Sequence, residues 1–488
     1  MLPWKAILAA LPVSALLMGA PRPAAAQPVV PAVPVADPMP AIGPSGISVR
    51  LVPFATVPQG QPQLIQPVGD GSGRLAVHET GGKLFLTTTG GTLTAPYLDI
   101  TSVGYGGLMG VAFAPDFASS GKFYTGSYSL PGTGIAPLPS SGGTVFDMVV
   151  REWTATDPSA AAFSGTSREV LRVAQPSNGH AIGMVAFNPN ATVGTADYGK
   201  LYISMGDAGD NRSYLLNGQD LSNPYGKVLR IDPTPGVGSS FTVPADNPFV
   251  GRQGAEQTIW AYGLRNPQYL SWLRDSLPGG GAGTMLINDI GEGAIEEVNT
   301  GVAGGNYGWS IREGTFATWR EASLGVGYDD SVFALGDAPE AGLLFPVAQY
   351  DHGEGRAIGA GLIYQGTAIP GLAGKLVATD IVNGRLFVAD AGGLVSDNDP
   401  DGVVGFAELD TVVDGIHQPL LAALGTERAD ARLGTDGQGN LYVVTKAHGE
   451  IFRVEAFVQA VPGPGAVAVF AVALLGLAGA RRRSLPAG

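Results

Sequence analysis

Residues 199–203 read Gly-Lys-Leu-Tyr-Ile, a glycine and a polar residue before a run of strand-forming side chains. The pattern recurs at residues 82–86, 121–124, 283–287, 374–378 and 439–443. Branched and aromatic residues after a glycine turn favour β-strands, and no comparably long apolar stripe with helical periodicity lies between the repeats. Six such units predict an all-β fold, a six-bladed β-propeller with long inter-strand loops. A large β-sandwich or a β-helix is the alternative.

The composition is typical of a turn-rich β protein with an acidic surface. The chain has 488 residues, with 73 glycines, 37 prolines and no cysteine. Its formal net charge is −14, and no run of basic residues precedes residue 481. Nucleic acid is therefore excluded as a partner, because phosphate binding needs a basic footprint. The lack of cysteine also excludes disulfides, thiolate metal sites and cysteine nucleophiles.

The N-terminal region has the composition of a targeting segment. Residues 1–26 resemble a signal peptide, with Lys5 before an apolar stretch and three alanines before Gln27. Residues 27–44 are rich in proline, alanine and valine and predict an extended linker. We expect the propeller to occupy residues 45–458 of an exported protein, located in the periplasm, at the cell surface or outside the cell.

The C-terminal region, residues 459–488, has a second targeting pattern. Val-Pro-Gly-Pro at 461–464 is followed by an apolar stretch at 465–480 and by arginines at 481–483. The pattern resembles a PEP-CTERM sorting tail of Gram-negative bacteria that make exopolysaccharide, with Gly463 where that family usually has glutamate. It implies transient or lasting C-terminal membrane anchoring and association with exopolysaccharide. A plain membrane anchor is the alternative.

Three segments hold candidate catalytic or binding residues. His180 lies in a glycine-flanked turn before an apolar run. A neutral imidazole there is suited to act as a general base; the alternative is a turn histidine that makes a structural hydrogen bond. Asp207 lies in a glycine-rich loop, whose carboxylates and amides orient an imidazole or ligate a hard cation. Arg265 and Asn266 precede a proline. They offer donors for a carboxylate or a quinone oxygen, unless the arginine pairs with a structural acid.

A fourth segment, residues 288–299, concentrates acidic side chains. It contains four carboxylates within nine residues, a density that is costly unless the charges are solvated or countered by a cation. Backbone carbonyls near Gly291 together with these carboxylates are suitable ligands for Ca²⁺. A solvated acidic loop is the alternative.

Taken in order, these segments resemble the glucose/sorbosone dehydrogenase family, soluble six-bladed enzymes that use pyrroloquinoline quinone (PQQ). Residues 107–117 (GLMGVAFAPDF) are similar to that family's early signature, and residues 225–231 (YGKVLRI) and 306–309 (NYGW) match in the same order. The resemblance implies an exported quinoprotein oxidoreductase that oxidises an aldose or related sugar hydroxyl with PQQ and Ca²⁺. It also implies a small sugar substrate and an external electron acceptor.

The resemblance implies a role for each matched residue. His180 would be the base that takes the proton from the sugar C1 hydroxyl, and Asp207 would orient that base. Arg265 and Asn266 would contact the cofactor's oxygens.

Calcium ligation is implied for the acidic segment. The backbone carbonyls of Gly291 and Glu292 would hold Ca²⁺, and Glu296 would lie close to that site.

The chain departs from the family pattern at the cationic partners of the cofactor. The lysine expected around residues 382–383 is absent, and Arg385 is the nearest basic residue. Arg428 and Arg432 are the candidates for a pair of arginines before the last blade. An inactive surface propeller that binds polysaccharide or protein partners is therefore one alternative. A calcium-dependent lactonase, with acidic ligands from several blades on one axis, is the other.

Overall fold

The computed structural model describes residues 33–457 except 58–59, 88–89, 94, 103–106, 141–142, 210–215, 274–282, 319–330, 337–340 and 395–397. The predicted signal peptide and the predicted sorting tail lie outside the described residues. Within the described ranges, every helix is too short or too polar to span a bilayer.

Six blades of four strands each make up the fold. We number the blades in chain order and give the strands of each blade from the central channel outward. Blade 1 contains Pro62–Pro67, Leu75–Glu79, Lys83–Thr87 and Leu98–Asp99. Blade 2 contains Leu108–Phe113, Lys122–Ser129, Phe146–Ala155 and Gly165–Gln175. Blade 3 contains Ile182–Phe187, Leu201–Met205, Lys227–Ile231 and Ile259–Tyr262. Blade 4 contains Pro267–Trp272, Met285–Asp289, Ile295–Thr300 and Ala348–Asp351. Blade 5 contains Ile358–Ile363, Lys375–Asp380, Leu386–Asp390 and Ala407–Val413. Blade 6 contains Ala431–Thr435, Leu441–Thr445, Glu450–Ala456 and, outermost, Pro44–Thr56.

The remaining described elements are short. They are the strands Gly91–Thr92, Arg312–Glu313, Phe316–Thr318, Val332–Phe333 and Ile416–His417, the helices Phe117–Ser120 and Leu420–Leu424, and the 3-10 helices Pro370–Leu372, Ala391–Gly393 and Pro400–Gly402.

An N-terminal strand closes the ring. Pro44–Thr56 pairs antiparallel with Glu450–Ala456, where Leu51 faces Val454, and parallel with Ala407–Val413 of blade 5. Arg50 also forms an ion pair with Glu455 at 2.5 Å across this junction. Blades 5 and 6 thus share one continuous sheet, and the outer edge of blade 6 is paired rather than exposed.

The innermost strands of successive blades contact one another around a central channel. Between blades 1 and 2, for example, Gln66 donates a hydrogen bond to the carbonyl of Val111 at 2.7 Å. Apolar side chains such as Val185 and Ile287 are fully buried between neighbouring blades. This radial order confirms the predicted propeller, because a sandwich or a β-helix has no ring of inner strands.

The glycine repeats mark equivalent strands in five of the blades. In blades 2 to 6 each repeat leads into the second strand, as Gly199 leads into Leu201–Met205. The repeat at Gly82 instead leads into the third strand of blade 1. The equivalent turn in blade 1 is Gly73, which precedes Leu75–Glu79 and has a φ of +76°. A left-handed conformation of this kind favours glycine at the turn.

The described part of the predicted linker lies against blade 4. The backbone nitrogen of Val35 donates to the carbonyl of Val332 at 2.9 Å. The nitrogen of Met39 donates to the Asp351 carboxylate at 3.0 Å. Residues 33–43 therefore follow the surface of the propeller in this region.

Candidate functional site

All of the site residues predicted from the sequence lie towards one face of the propeller, which we call the catalytic face. Strands alternate in direction within a blade, so two kinds of connection open on that face. One kind links the outermost strand of a blade to the innermost strand of the next, and it contains His180, Arg265, Asn266 and Arg428. The other kind links the second strand of a blade to the third.

The second kind of connection holds the remaining predicted residues. Asp207 follows the second strand of blade 3, and Gly291 and Glu292 follow the second strand of blade 4. Glu296 and Arg432 lie on strands beside these connections, each as the second residue: Glu296 in the third strand of blade 4 and Arg432 in the innermost strand of blade 6. The propeller therefore gathers at one mouth side chains that are up to 252 residues apart in the chain, from His180 to Arg432.

His180 and Asp207 form a hydrogen-bonded pair. Nδ1 of His180 lies 2.7 Å from Oδ1 of Asp207, and the two side chains are 16% and 2% exposed. A carboxylate there fixes the tautomer in which Nδ1 bears the proton and Nε2 is the basic nitrogen. Nε2 has no hydrogen-bond partner among the described residues. The pair therefore has the arrangement of a general base with its orienting carboxylate.

Trp309 fixes the other side of the carboxylate. Its indole Nε1 donates to Oδ2 of Asp207 at 2.7 Å. The backbone nitrogen of Asp207 donates to the carbonyl of Arg265 at 2.7 Å, which ties this loop to the next blade. Both carboxylate oxygens are thus committed, and the imidazole orientation is set from three elements. Trp309 belongs to a motif that the sequence identified, but its contact with Asp207 was not predicted.

Close backbone approach forms this pair, and glycines permit it. A Cβ on Gly206 would lie 2.4 Å from the carbonyl oxygen of His180. A Cβ on Gly209 would lie 2.5 Å from Oδ1 of Asp207 and 2.8 Å from Nδ1 of His180. His180 itself has a φ of +47°, a conformation that a non-glycine residue adopts only when its surroundings hold it there.

Arg265 connects the catalytic pair to the predicted calcium segment. Its guanidinium lies over the ring of Trp309, with the central carbon 5.6 Å from the centroid. Its Nε donates to the Glu292 carboxylate at 2.6 Å. It also donates to the carbonyls of Ile290 and Gly291. Of the two carbonyls predicted to hold Ca²⁺, that of Gly291 therefore faces the guanidinium, while Glu292 contacts it through its side-chain carboxylate.

Asn266 is held between two side chains. Its backbone nitrogen donates to Oδ1 of Asp289 at 2.6 Å, while the nitrogen of Arg265 donates to Oδ2 at 2.9 Å. Gln268 donates from Nε2 to Oδ1 of Asn266 at 2.9 Å, which leaves the amide NH₂ of Asn266 without a partner among the described residues. Burial raises the pKa of Asp289 well above its usual range, and nearby Glu297 raises it further.

Glu296 lies in the same blade, but its partners differ from those of Glu292. Its Oε1 lies 2.8 Å from Nε2 of His352, and its Oε2 accepts from the nitrogen of Ile358 at 2.8 Å. The side chain is fully buried, and burial raises its pKa. Both oxygens therefore link blade 4 to the start of blade 5. No group of three or more side-chain ligands suited to a metal occurs in the part of the chain that the structure describes.

The second residue of the innermost strand, taken from five of the six blades, forms the floor of the mouth. In blades 1 to 5 the register of the innermost strand shifts at its second residue, as between Ile182 and Met184. Such a bulge redirects a side chain out of the regular alternation. Second residues from five blades line one small cavity on the axis: Gln63, Met109, Gly183, Gln268 and Arg432.

The basic residues of blade 6 lie at this floor and beside it. Arg432 is 9% exposed, while Arg428 is more than half exposed and pairs with Asp430 at 2.9 Å. Lys446 follows the second strand of blade 6 and lies close enough to both arginines for their charges to lower its pKa. Sequence reasoning missed Lys446. Its position could have identified it, because Lys446 follows the second strand of blade 6 as Asp207 and Gly291 follow the second strands of blades 3 and 4.

Comparison with known proteins gives the same family as the sequence motifs. The family model described as Glucose / Sorbosone dehydrogenase matches residues 60–453. The HIPL1 protein of Arabidopsis thaliana is 29% identical over 64% of this chain, and the chain spans about half of that relative's length, 50%. The aldose sugar dehydrogenase YliI of Escherichia coli is 27% identical over 77% of this chain and 84% of its own length.

One solved structure shows the likeness of fold. The PQQ-bound form of an aldose sugar dehydrogenase from Streptomyces coelicolor superposes with a TM-score of 0.56 at 19% identity. The superposition covers 85% of this chain and all of the other. Because the family model covers most of the propeller, the chain belongs to the glucose/sorbosone dehydrogenase family.

Proposed function

We propose that this protein is a quinoprotein dehydrogenase that oxidises the hydroxyl of an aldose or a related sugar. The proposal takes PQQ and Ca²⁺ as cofactors and an external molecule as electron acceptor. It rests above all on one observation, the His180 imidazole whose Nδ1 is held 2.7 Å from Asp207 while Nε2 has no hydrogen-bond partner among the described residues. Family membership and the PQQ-bound relative support the choice of cofactor.

The residues of the mouth suit an anionic quinone. Arg432 and Lys446 are basic side chains whose pKa values burial lowers to about 10 and about 7. Burying cations without carboxylate partners is costly, and the carboxylates of PQQ would remove that cost. Arg265 and Asn266 supply donors for the oxygens of the ring system, as hydrogen-bond forks do for planar acceptors.

The residues beside Arg265 suit a hard cation. The Glu292 carboxylate and the carbonyls of Ile290 and Gly291 are oxygen donors of the type that Ca²⁺ prefers. They already surround a positive charge, since the guanidinium contacts all three. The Glu292 carboxylate and the carbonyls of Ile290 and Gly291 are the groups that would hold a calcium ion here in place of the guanidinium.

The chain's own residues would carry the proton. The substrate hydroxyl would give its proton to Nε2 of His180, and the Asp207 carboxylate would stabilise the imidazolium that forms. Trp309 keeps the carboxylate in place through Oδ2. When bound beside Arg265 and Asn266, PQQ would supply the two-electron acceptor for oxidation of the hydroxyl-bearing carbon, and Ca²⁺ would supply a Lewis acid.

Export belongs to the same proposal. Its support is the signal-like composition of residues 1–26 and the apolar stretch with terminal arginines in residues 459–488. We include C-terminal membrane anchoring and an exopolysaccharide setting on the same grounds. The lactonase alternative is disfavoured, because the floor residues Gln63, Met109, Gly183, Gln268 and Arg432 include no carboxylate.

The test is a titration of the purified chain with PQQ in the presence of Ca²⁺, followed by the absorbance of the cofactor. Addition of aldoses with an artificial electron acceptor then measures turnover. Saturable binding with sugar-dependent reduction is expected. A folded protein that binds no PQQ at high micromolar concentration would favour a surface propeller that binds polysaccharide or protein partners.

A further inference from the structure

Three basic side chains meet at the catalytic end of blade 6, and we call them the blade 6 cation cluster: Arg428, Arg432 and Lys446. Arg432 is the second residue of the innermost strand, Ala431–Thr435, and Lys446 follows the neighbouring second strand, Leu441–Thr445. In this pair of strands Arg432 faces Val444. Lys446 therefore lies two residues beyond the partner of Arg432, at the same end of the blade.

Among the described residues, one carboxylate, that of Asp430, acts on the positive charges of Arg432 and Lys446. Arg428 binds the Asp430 carboxylate at 2.9 Å. Arg432 makes one hydrogen bond among the described residues, to the carbonyl of Asp430 at 3.4 Å. Lys446 makes no hydrogen bond or ion pair with any residue that the structure describes. Burial disfavours the charged ammonium of Lys446, and the two arginines disfavour it further.

Two buried polar side chains of blade 1 border the cluster without full partners. Oε1 of Gln63 and Nδ1 of His78 have no hydrogen-bond partner among the residues that the structure describes, although the two residues are 4% and 1% exposed. Both line the floor cavity together with Arg432. Lys446 is near enough to His78 for its charge to lower the pKa of the imidazole. Both atoms are acceptors, because Nε2 of His78 faces the carbonyl of Met109 at 3.4 Å and Nδ1 is then the unprotonated nitrogen. They suit a cation such as the Lys446 ammonium, so the support for an anionic ligand comes from the uncompensated charges of the cluster itself.

The loop of blade 5 offers no comparable cation. Its nearest basic residue, Arg385, donates to the Glu354 carboxylate at 2.7 Å and to the Glu408 carboxylate at 2.7 Å. Asn383 donates to the carbonyl of Glu354 at 3.0 Å. The side chains of Asn383 and Arg385 are therefore committed to the protein, whereas Lys446 has no partner among the described residues.

We propose that Lys446, acting with Arg432, binds a carboxylate of the anionic quinone and replaces the lysine that the blade 5 loop lacks. This inference rests on the proposed function. It makes Lys446 a cofactor-binding residue on the blade 6 side of the mouth, where the bound carboxylate supplies the negative charge that the cluster lacks. The basal fold does not depend on Lys446, because no described residue uses it as a partner.

The test compares the dissociation constant of PQQ for the wild type, Lys446→Ala and Lys446→Arg by absorbance titration. Loss of a charged hydrogen bond predicts an affinity about 10- to 100-fold weaker for Lys446→Ala, with most of the affinity restored in Lys446→Arg. Lys375→Ala is the matched control. Lys375 begins the second strand of blade 5 at the opposite face, so its removal should leave PQQ affinity unchanged.

A melting temperature for the cofactor-free proteins separates ligand binding from a structural role. Lys446→Ala should melt at or above the wild-type temperature, because it removes a buried charge that has no partner. A lower melting temperature with unchanged PQQ affinity would overturn the inference while leaving the proposed function intact. If the wild type fails to bind PQQ, the proposed function is wrong. The inference is then wrong as well, unless benzene-1,3,5-tricarboxylate raises the melting temperature of the wild type but not of Lys446→Ala. That result would support the anion site alone.

Discussion

Nε1 of Trp309 lies 2.7 Å from Oδ2 of Asp207, on the side of the carboxylate opposite to His180. The indole therefore determines where the Asp207 carboxylate points. Trp309→Phe keeps an aromatic ring under Arg265 but removes the donor. We expect kcat to fall about tenfold, with PQQ affinity little changed. Steady-state kinetics of the PQQ-loaded variant measure the effect, and an unchanged kcat would mean that the backbone alone orients Asp207.

His180 should be essential for turnover and dispensable for cofactor binding. A positioned general base contributes about 10²- to 10⁴-fold to a rate, so His180→Ala should lose at least that factor in kcat. Its PQQ dissociation constant should remain near that of the wild type. Because His180 has a φ of +47°, His180→Asn is the control for the backbone, since asparagine tolerates that conformation. Wild-type turnover in either variant would remove the base assignment.

Gly209→Ala tests the close approach that forms the pair. The new methyl group would lie 2.5 Å from Oδ1 of Asp207, so the imidazole and the carboxylate would be forced apart. We expect severe loss of kcat in a protein that remains folded. Gly405→Ala is the matched control, because a Cβ there meets nothing within 4 Å. Equal activity of the two variants would show that the loop relaxes without cost.

Local patterns in the sequence predicted the strands but not the closure of the ring. Five repeats mark second strands, whereas the repeat at Gly82 marks the third strand of blade 1, whose second strand follows Gly73. Closure joins Arg50 to Glu455, which are 405 residues apart. No local pattern contains information on that pairing, because it depends on the summed curvature of all the blades.

The same distinction holds for the site. His180, Asp207 and Arg265 lie in short glycine-rich segments with recognisable chemistry, so sequence reasoning found them. The role of Trp309 requires contact with a residue 102 positions away. Lys446 lies in an ordinary Thr-Lys-Ala-His stretch, and its role emerges only when the loops after equivalent second strands are compared around the ring.

Calcium removal should destabilise the loaded protein. A ligand that binds only the folded state stabilises it by about 2.7 kcal/mol at a hundredfold excess over its dissociation constant. Treatment of the PQQ-loaded protein with EGTA should therefore lower its melting temperature. The cofactor-free protein should respond little, because Arg265 already neutralises Glu292 at 2.6 Å. Glu292→Gln should reduce the response of the loaded form, and a response equal to that of the wild type would place Ca²⁺ elsewhere.

PQQ affinity should depend on pH through Lys446. Burial lowers the pKa of this lysine to about 7 in the free protein, whereas a bound carboxylate would raise it. Binding therefore takes up a proton between these two values. Affinity should be highest below about pH 7 and should fall as the pH rises towards the pKa of the bound state. The charged groups that face the ammonium are Arg428, Arg432, Asp430 and the imidazole of His78.

Two variants isolate the lysine as the source of this pH dependence. The pKa of His78 is lowered by its burial to about 4, and that of Arg432 to about 10, so neither titrates between pH 6 and 9. Lys446→Arg keeps its charge throughout this range and should bind PQQ with an affinity that varies little with pH. Lys446→Ala should bind weakly at every pH. Dissociation constants measured from pH 6 to 9 decide the matter, and the same decline in all three proteins would assign the titration to another group.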